Sequence, residues 1–223
     1  MNSRKAVNFL VQLLFLASLP LSTIAAEDGA LFVVKGEQMD YSPPSGWKLA
    51  WMNGKQDGEF VAEYIPENED IFTWREGYLS VKRMAYPPVE TLQKLKENKT
   101  RIADVALIQT INQAKELCGG HHTPMSQRTN TFNGVYFAVG GGYCDKYGPA
   151  APYGEGSFVA FAEGKKFFFR IQYSWRPKSA DEQKTNLPWR ISPEKAQEYL
   201  ESIMAMRLCG GDGQPTCKIS YAR

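Results

Sequence analysis

Histidine is scarce in this sequence: His121 and His122 are the only two. Catalysis by a nucleophile or a general base most often recruits imidazole, and adjacent side chains on an extended segment point to opposite sides. The pair reads as exposed loop histidines, and the further ligands that a zinc centre needs are not advertised. No CxxC occurs among the cysteines, which removes the spacing used by zinc ribbons and thioredoxin-like redox sites. Gly140-Gly141-Gly142 lacks the Lys-Ser/Thr of a phosphate loop. Gly154-Glu155-Gly156-Ser157 does not place its serine in GxSxG, and a strand rather than a helix follows it. No cofactor and no metal are expected.

A second absence is charge of one sign. Arg4 and Lys5 precede a nearly unbroken apolar run from Val7 to Leu21, and Thr23-Ile24-Ala25-Ala26 supplies small residues for cleavage. Residues 1–26 therefore read as a secretory signal peptide. The run is short of the roughly 20 residues that span a bilayer, so no stable membrane anchor is expected after cleavage. No cysteine follows it to carry a lipid. Of 26 Lys and Arg, losing these two leaves 24 against 24 Asp and Glu. A formally neutral exported chain excludes a nucleic-acid partner that would require a basic patch. Residues 27–223 lack repeats and linkers, and are long enough for one domain with a substantial core.

What is present is an even set of cysteines, Cys118, Cys144, Cys209 and Cys217. In an exported chain these read as two disulfides, and the expected location is periplasmic or secreted. Three pairings are possible. Cys118 with Cys144 and Cys209 with Cys217 are favoured because each closes a local loop between neighbouring elements. In the chain-entropy picture the two contribute roughly 3.5 and 2.6 kcal/mol.

The strongest pattern lies between Phe132 and Arg176, which reads as three antiparallel strands. Phe167, Phe169, Ile171, Tyr173 and Trp175 recur at period two, opposite Lys166, Arg170, Gln172, Ser174 and Arg176. One face is expected to be core and the other mostly wet. Val135, Phe137, Val139 and Tyr143 share a face of the first strand, and the glycine triplet within it suggests a bulge or a close backbone approach. Upstream, Leu31 to Val34 suggests an edge strand. Trp47, Leu49 and Trp51 alternate with Lys48, Ala50 and Met52, and Asn53-Gly54 with Gly58 turns this strand into Phe60, Ala62 and Tyr64. A strand from Tyr78 to Tyr86 follows.

Pro88 and Glu90 suit a helix start. Leu92, Leu95, Lys99 and Ile102 keep helical spacing, as do Leu107, Ile111, Ala114 and Cys118, with a break near Asn98. The Val105 to Ile111 stretch also fits a strand, and Gly119-Gly120 ends the helical region. Met125 to Thr131 suggests a lead-in strand. Ser192-Pro193-Glu194 caps a last helix whose apolar stripe is Ala196, Tyr199, Leu200 and Ile203.

The candidate ligand or partner residues are aromatic. Tyr143, Tyr147 and Tyr153 flank a loop rich in Gly and Pro, while Trp74, Trp175 and Trp189 lie near turns or strand ends, where rings can line a groove. Trp175 itself reads as core. No catalytic residues stand out. Paired carboxylates for hydrolysis can be far apart in sequence, and Glu63, Glu69 and Glu76 are the nearest candidates, each of which reads first as a solvated or turn-stabilising acid.

Pro44-Ser45-Gly46-Trp47-Lys48, Glu63-Tyr64-Ile65-Pro66-Glu67-Asn68-Glu69 and Trp74-Arg75-Glu76-Gly77-Tyr78-Leu79-Ser80-Val81 resemble the motifs of a group of uncharacterised secreted proteobacterial proteins. More distantly, the order of elements is similar to the Mog1/PsbP-like fold. The resemblance implies an antiparallel sheet flanked by helices, and adaptor-like roles, and it carries no catalytic residues. The expected fold is α+β, a single domain with a twisted antiparallel sheet flanked by helices and two disulfides. The expected function is a non-catalytic exported binding or assembly protein whose partner is an envelope protein or a small ligand. The alternatives are an envelope hydrolase using carboxylates and a secreted host-directed factor.

Overall fold

The structure, a computed structural model, describes residues 33–219 and Tyr221. The expected leader and the first half of the Leu31 to Val34 segment lie outside these residues, and Val33 and Val34 are not in a strand.

In chain order the strands are β1 (Gln38–Asp40), β2 (Trp47–Gly54), β3 (Phe60–Pro66), β4 (Tyr78–Ala85), β5 (His122–Pro124), β6 (Arg128–Phe132), β7 (Val135–Cys144), β8 (Glu155–Glu163), β9 (Phe167–Trp175) and β10 (Arg207–Cys209). The helices are α1 (Val89–Glu97), α2 (Ile102–Leu117), the single turn α3 (Ala180–Gln183) and α4 (Pro193–Ala205). The aromatic strand β9 lies mid-sheet, paired antiparallel with β4 on one side and β8 on the other. The full order is β2-β3-β4-β9-β8-β7, with β5 and β6 both pairing with β7, and every pairing is antiparallel. The α+β class with two disulfides is as the sequence indicates. Cys118 bonds Cys144 and Cys209 bonds Cys217, with Cα separations of 5.7 and 5.0 Å.

Both faces of the sheet are covered. On one, Phe169, Ile171, Tyr173 and Trp175 join Leu79, Val81 and Phe137 in a core closed by Tyr199 and Ile203 of α4. Ser192 caps α4 by accepting from the Lys195 N–H at 3.2 Å. Tyr199 stacks on Tyr173, centroids 4.6 Å apart. The other face carries α2, whose Ala103, Ala106 and Leu107 pack on Ala138, Val159, Phe161 and Phe168. This corrects the expectation of a mostly wet face: period-two polarity marks what a face bonds to, and cannot show that a helix further up the chain roofs it.

Other local readings are also revised. The helix wins over the strand reading of Val105 to Ile111, and the break falls between Glu97 and Ile102. The β2–β3 register shifts between Leu49 and Trp51. Beyond that shift Met52 is buried and Trp51 is 41% exposed, reversing the simple alternation. Pairing with β8 runs unbroken through Gly140 to Gly142, so the triplet makes no bulge there, and the close backbone approach is what it serves: a Cβ on Gly141 would collide with the Ser157 carbonyl oxygen. Gly140 lies under the roof: a Cβ there would stand 3.0 Å from Ile111 Cδ1 and 3.3 Å from Leu107 Cδ1, so those side chains would have to give way slightly. His122 lies in β5, which sequence reading left as loop.

Three buried charges tie the chain ends to the sheet. Arg83 is fully buried. It donates to the carbonyls of Gly58 at 2.6 Å, Lys35 and Gln56 at 2.9 Å, Glu37 at 3.1 Å and Lys55 at 3.4 Å. The Phe60 and Phe167 rings flank its guanidinium at 4.8 and 4.5 Å. Glu37, 1% exposed, accepts from the main-chain N–H groups of Lys165 (2.9 Å), Lys166 (2.8 Å) and Phe167 (3.0 Å), and from Gln214 Nε2 (2.6 Å). Burial pushes its pKa up, but these four donors more than offset it and leave the value below the usual carboxylate range. Asp40 accepts from the N–H groups of Lys218 (2.9 Å) and Ile219 (3.0 Å) and pairs with Arg207 at 3.1 Å.

A buried cation without a carboxylate in contact is tolerable only while its donors are matched. Arg83→Met would leave those carbonyls facing an apolar side chain, so it is expected to lower stability by about 3 kcal/mol or more. Lys82→Met, one residue earlier and exposed, should change it by no more than about 0.5 kcal/mol. Urea unfolding of the oxidised protein measures both; equal effects would show that the buried guanidinium contributes nothing particular.

Candidate functional site

Cross-strand register assigns the residues beneath α2. Lys82, Arg170, Phe161 and Ala138 form one row; Ser80, Gln172, Val159 and Gly140 the next; Tyr78, Ser174, Ser157 and Gly142 the one after. Glu155 and Cys144 follow, with His122 beside Cys144. Along this direction the face passes from apolar, where α2 is seated, to polar as the helix runs out. Where the two regimes meet, side chains of α2 and the polar rows enclose a recess of about 110 Å³. Its helical wall includes Thr110, Ile111, Gln113 and Ala114, and its floor and sides include Gly141, Gly142, Ser157, Arg170 and Gln172, with His122, Tyr147 and Glu155 at the polar end.

Two conditions shape this space. The Cys118–Cys144 disulfide joins the residue after α2 to the last residue of β7, tying wall to floor. Gly142 carries no side chain where a Cβ would stand 2.9 Å from His122 Nε2 and 2.7 Å from the Thr123 carbonyl oxygen, so the imidazole can lie across the strand.

The electrostatics centre on two arginines. Arg176 Nε pairs with Glu155 Oε2 at 2.8 Å, both side chains largely buried. Its guanidinium lies 3.7 Å from the centroid of the Trp74 ring, which in turn stacks on Tyr78 at 5.1 Å. Arg170 has no acid within ion-pair distance among the described residues. It donates through Nη2 to Gln172 Oε1, and Gln172 Nε2 donates to Ser174 Oγ at 2.8 Å. Arg170 Nε and Arg176 Nη1 are buried with no hydrogen-bond partner among the described residues. Burial lowers the Arg170 pKa, with nearby Tyr78 and Tyr147 opposing the shift. Burial raises Glu155 against the pull of Arg176, and lowers His122, helped by Lys115 and His121.

The five aromatic candidates are not gathered into one groove. Tyr147 lines the recess and is half-buried, and burial raises its pKa. Trp74 is buried beneath Arg176. Tyr143 points to the opposite face, where it is buried and donates to the Tyr153 carbonyl at 2.5 Å; burial pushes its hydroxyl up to about 12. Trp189 packs against the larger core, accepts through its carbonyl from Trp175 Nε1 at 2.8 Å, and donates to Pro124 at 3.3 Å. The loop carrying Tyr147 and Tyr153 is held to its surroundings by Arg75 Nη1 on the Ala150 carbonyl and Gln183 Nε2 on the Asp145 carbonyl, each at 2.5 Å.

Of the acids, Glu69 accepts from the N–H groups of Arg75 and Glu76, both at 3.0 Å, which is a turn-stabilising role. Glu76 pairs with Lys178. Glu63 accepts from Tyr78 Oη at 2.5 Å.

Arg170, Gln172 and Ser174 were read as solvent-facing and are the main residues that sequence reasoning did not assign to a site. A signal was present: an arginine followed at period two by Gln and Ser, within a strand aromatic enough to be central, is flanked on both sides and must find partners within the sheet.

No protein-family model and no curated protein matches the chain. Among solved structures the chain is distantly similar to cyanobacterial PsbP (CyanoP) from Synechocystis sp. PCC 6803, with a TM-score of 0.41 and 8% identity, covering 82% of this chain and 98% of that chain. The likeness is one of structure, and no sequence family is identified.

Burial raises the Glu63 pKa above its ordinary 4.5, with the Tyr78 hydrogen bond opposing. The folded state therefore binds this proton more tightly than the unfolded chain does. The associated stability is fully present below pH 4.5 and is lost as pH rises through the folded value. Glu63→Gln, which keeps an acceptor for Tyr78 without titrating, is expected to flatten the decline of stability above that pH. Urea midpoints collected from about pH 4 to 8 test this, and identical slopes for both proteins would contradict it.

Proposed function

We propose that this is a non-catalytic periplasmic binding protein whose ligand occupies the recess between α2 and the sheet. Two disulfides suit an oxidising, extracytoplasmic compartment, and no helix among the described residues is long and apolar enough to cross a membrane. The observation that carries the binding reading is the polar floor: a sheet face roofed by a helix ordinarily continues apolar, whereas here Gln172, Ser157 and Arg170, a guanidinium with no acid in ion-pair distance among the described residues, line a recess. The loop from Asp145 to Gly154 contributes Tyr147, one of the five aromatic candidates, to the rim. At about 110 Å³ the space suits a molecule of a few heavy atoms, well below the roughly 300–1,000 Å³ of drug-sized pockets.

A thermal-shift screen of small metabolites against the oxidised protein tests the reading. A ligand at about ten times its Kd is expected to raise Tm by about 3–6 °C, and Ala114→Phe, which fills the recess from the helical wall, should abolish the shift. Hits that persist in Ala114→Phe would place binding elsewhere. Loss of a measurable hydrolytic turnover in Glu63→Gln, with folding retained, would favour the carboxylate hydrolase instead.

A further inference from the structure

We infer that the recess selects a small monoanion, a short carboxylate, held by the Arg170 guanidinium. The inference rests on the recess being a binding site and adds the class of ligand.

Charge accounting comes first. Arg176 is neutralised by Glu155 at 2.8 Å, so that pair adds little net charge. Arg170 keeps a full positive charge in a largely enclosed setting and meets only the neutral Gln172. An uncompensated buried cation is costly, and one negative charge beside it restores balance. A second negative charge would find no further unpaired cation and would face the Glu155 carboxylate. Monoanions are thereby preferred over dianions such as hydrogen phosphate.

Geometry agrees with the charge. Arg170 Nη2 is spent on Gln172 Oε1, which fixes the plane of the guanidinium, while Nη1 donates to no acceptor among the described residues. A carboxylate oxygen is a strong acceptor for such a donor, since charge-assisted bonds are roughly twice as strong as neutral ones. Ser157 and His122 border the same space and can donate to the second oxygen. On the helical side Ile111 and Ala114 offer apolar surface for a short alkyl tail. Polar groups at one end and apolar groups at the other match an amphiphilic acid better than an inorganic ion.

Titration calorimetry of the oxidised protein with sodium propionate, and with propionamide as its neutral isostere, separates the possibilities. Propionate is expected to bind at least about tenfold more tightly than propionamide, and more tightly than phosphate. Arg170→Gln should remove the preference, and Ala114→Phe should block both ligands. If Arg170→Gln does not fold, the wild-type preference and its loss in Ala114→Phe still decide. Equal binding of propionate and propionamide, blocked by Ala114→Phe, would overturn the anion assignment while leaving the recess as a binding site. Tighter binding of phosphate would overturn the monoanion assignment. Binding of neither organic ligand would overturn the inference; the metabolite screen would then judge the recess by itself.

Discussion

Arg83 gives its guanidinium protons to five main-chain carbonyls, and the first described residues and the β2–β3 turn are arranged around it. Two of those carbonyls, of Lys35 and Glu37, belong to the segment before β1, and three, of Lys55, Gln56 and Gly58, to the turn between β2 and β3. One side chain on β4 thereby holds two irregular segments together, alongside the main-chain bond from the Lys35 N–H to the Gln56 carbonyl at 2.7 Å. Glu37 extends the arrangement by capturing three N–H groups of the β8–β9 turn, and Asp40 by capturing two near the C-terminus. Buried charge is weak evidence for stability by itself. Its role here is to specify how segments lacking long strands dock on the sheet.

That docking reaches the recess through β9. Glu37 fixes the start of the strand at the Phe167 N–H, and Arg170 follows three residues later on the opposite face. The same strand thus presents an aromatic row to α4 and a polar row towards α2. The α2 end is tied covalently by Cys118–Cys144, and Gly140 allows the helix to sit close. A helix held close at one end and bonded to the end of β7 at the other, over side chains that change from apolar to polar, leaves a small space lined by unlike chemistry. The proposed binding role follows from this combination of roof, tie and polar floor.

Much of the fold was legible from local pattern. Period-two rows in β7 and β9, the β2–β3 hairpin, the Pro88 and Ser192 helix starts and the disulfide pairing all depend on residues close in sequence. What sequence reading missed depends on distance. The polar row Arg170, Gln172, Ser174 looks solvated until α2 is placed above it. Trp51 looks inward until the register shift turns it out. Glu37 and Arg83 sit among ordinary polar residues, and the partners of Arg83 lie 25 to 48 positions away while Lys165 lies 128 from Glu37. The aromatic candidates rest on their places beside a Gly- and Pro-rich loop and near turns or strand ends, which do not show which face a ring takes, and of the five Tyr147 alone is among the residues lining the recess.

Amide hydrogen exchange at Lys165, Lys166 and Phe167 tests the organising role of the buried charges most directly. Lys165 and Lys166 are exposed turn residues, which ordinarily exchange quickly unless their amides are bonded. With Glu37 ionised and accepting all three, their protection should approach that of the β8 and β9 interior and should fall as pH drops through the lowered Glu37 value. Exchange at neutral pH as fast as that of an unbonded, unstructured amide would contradict the account.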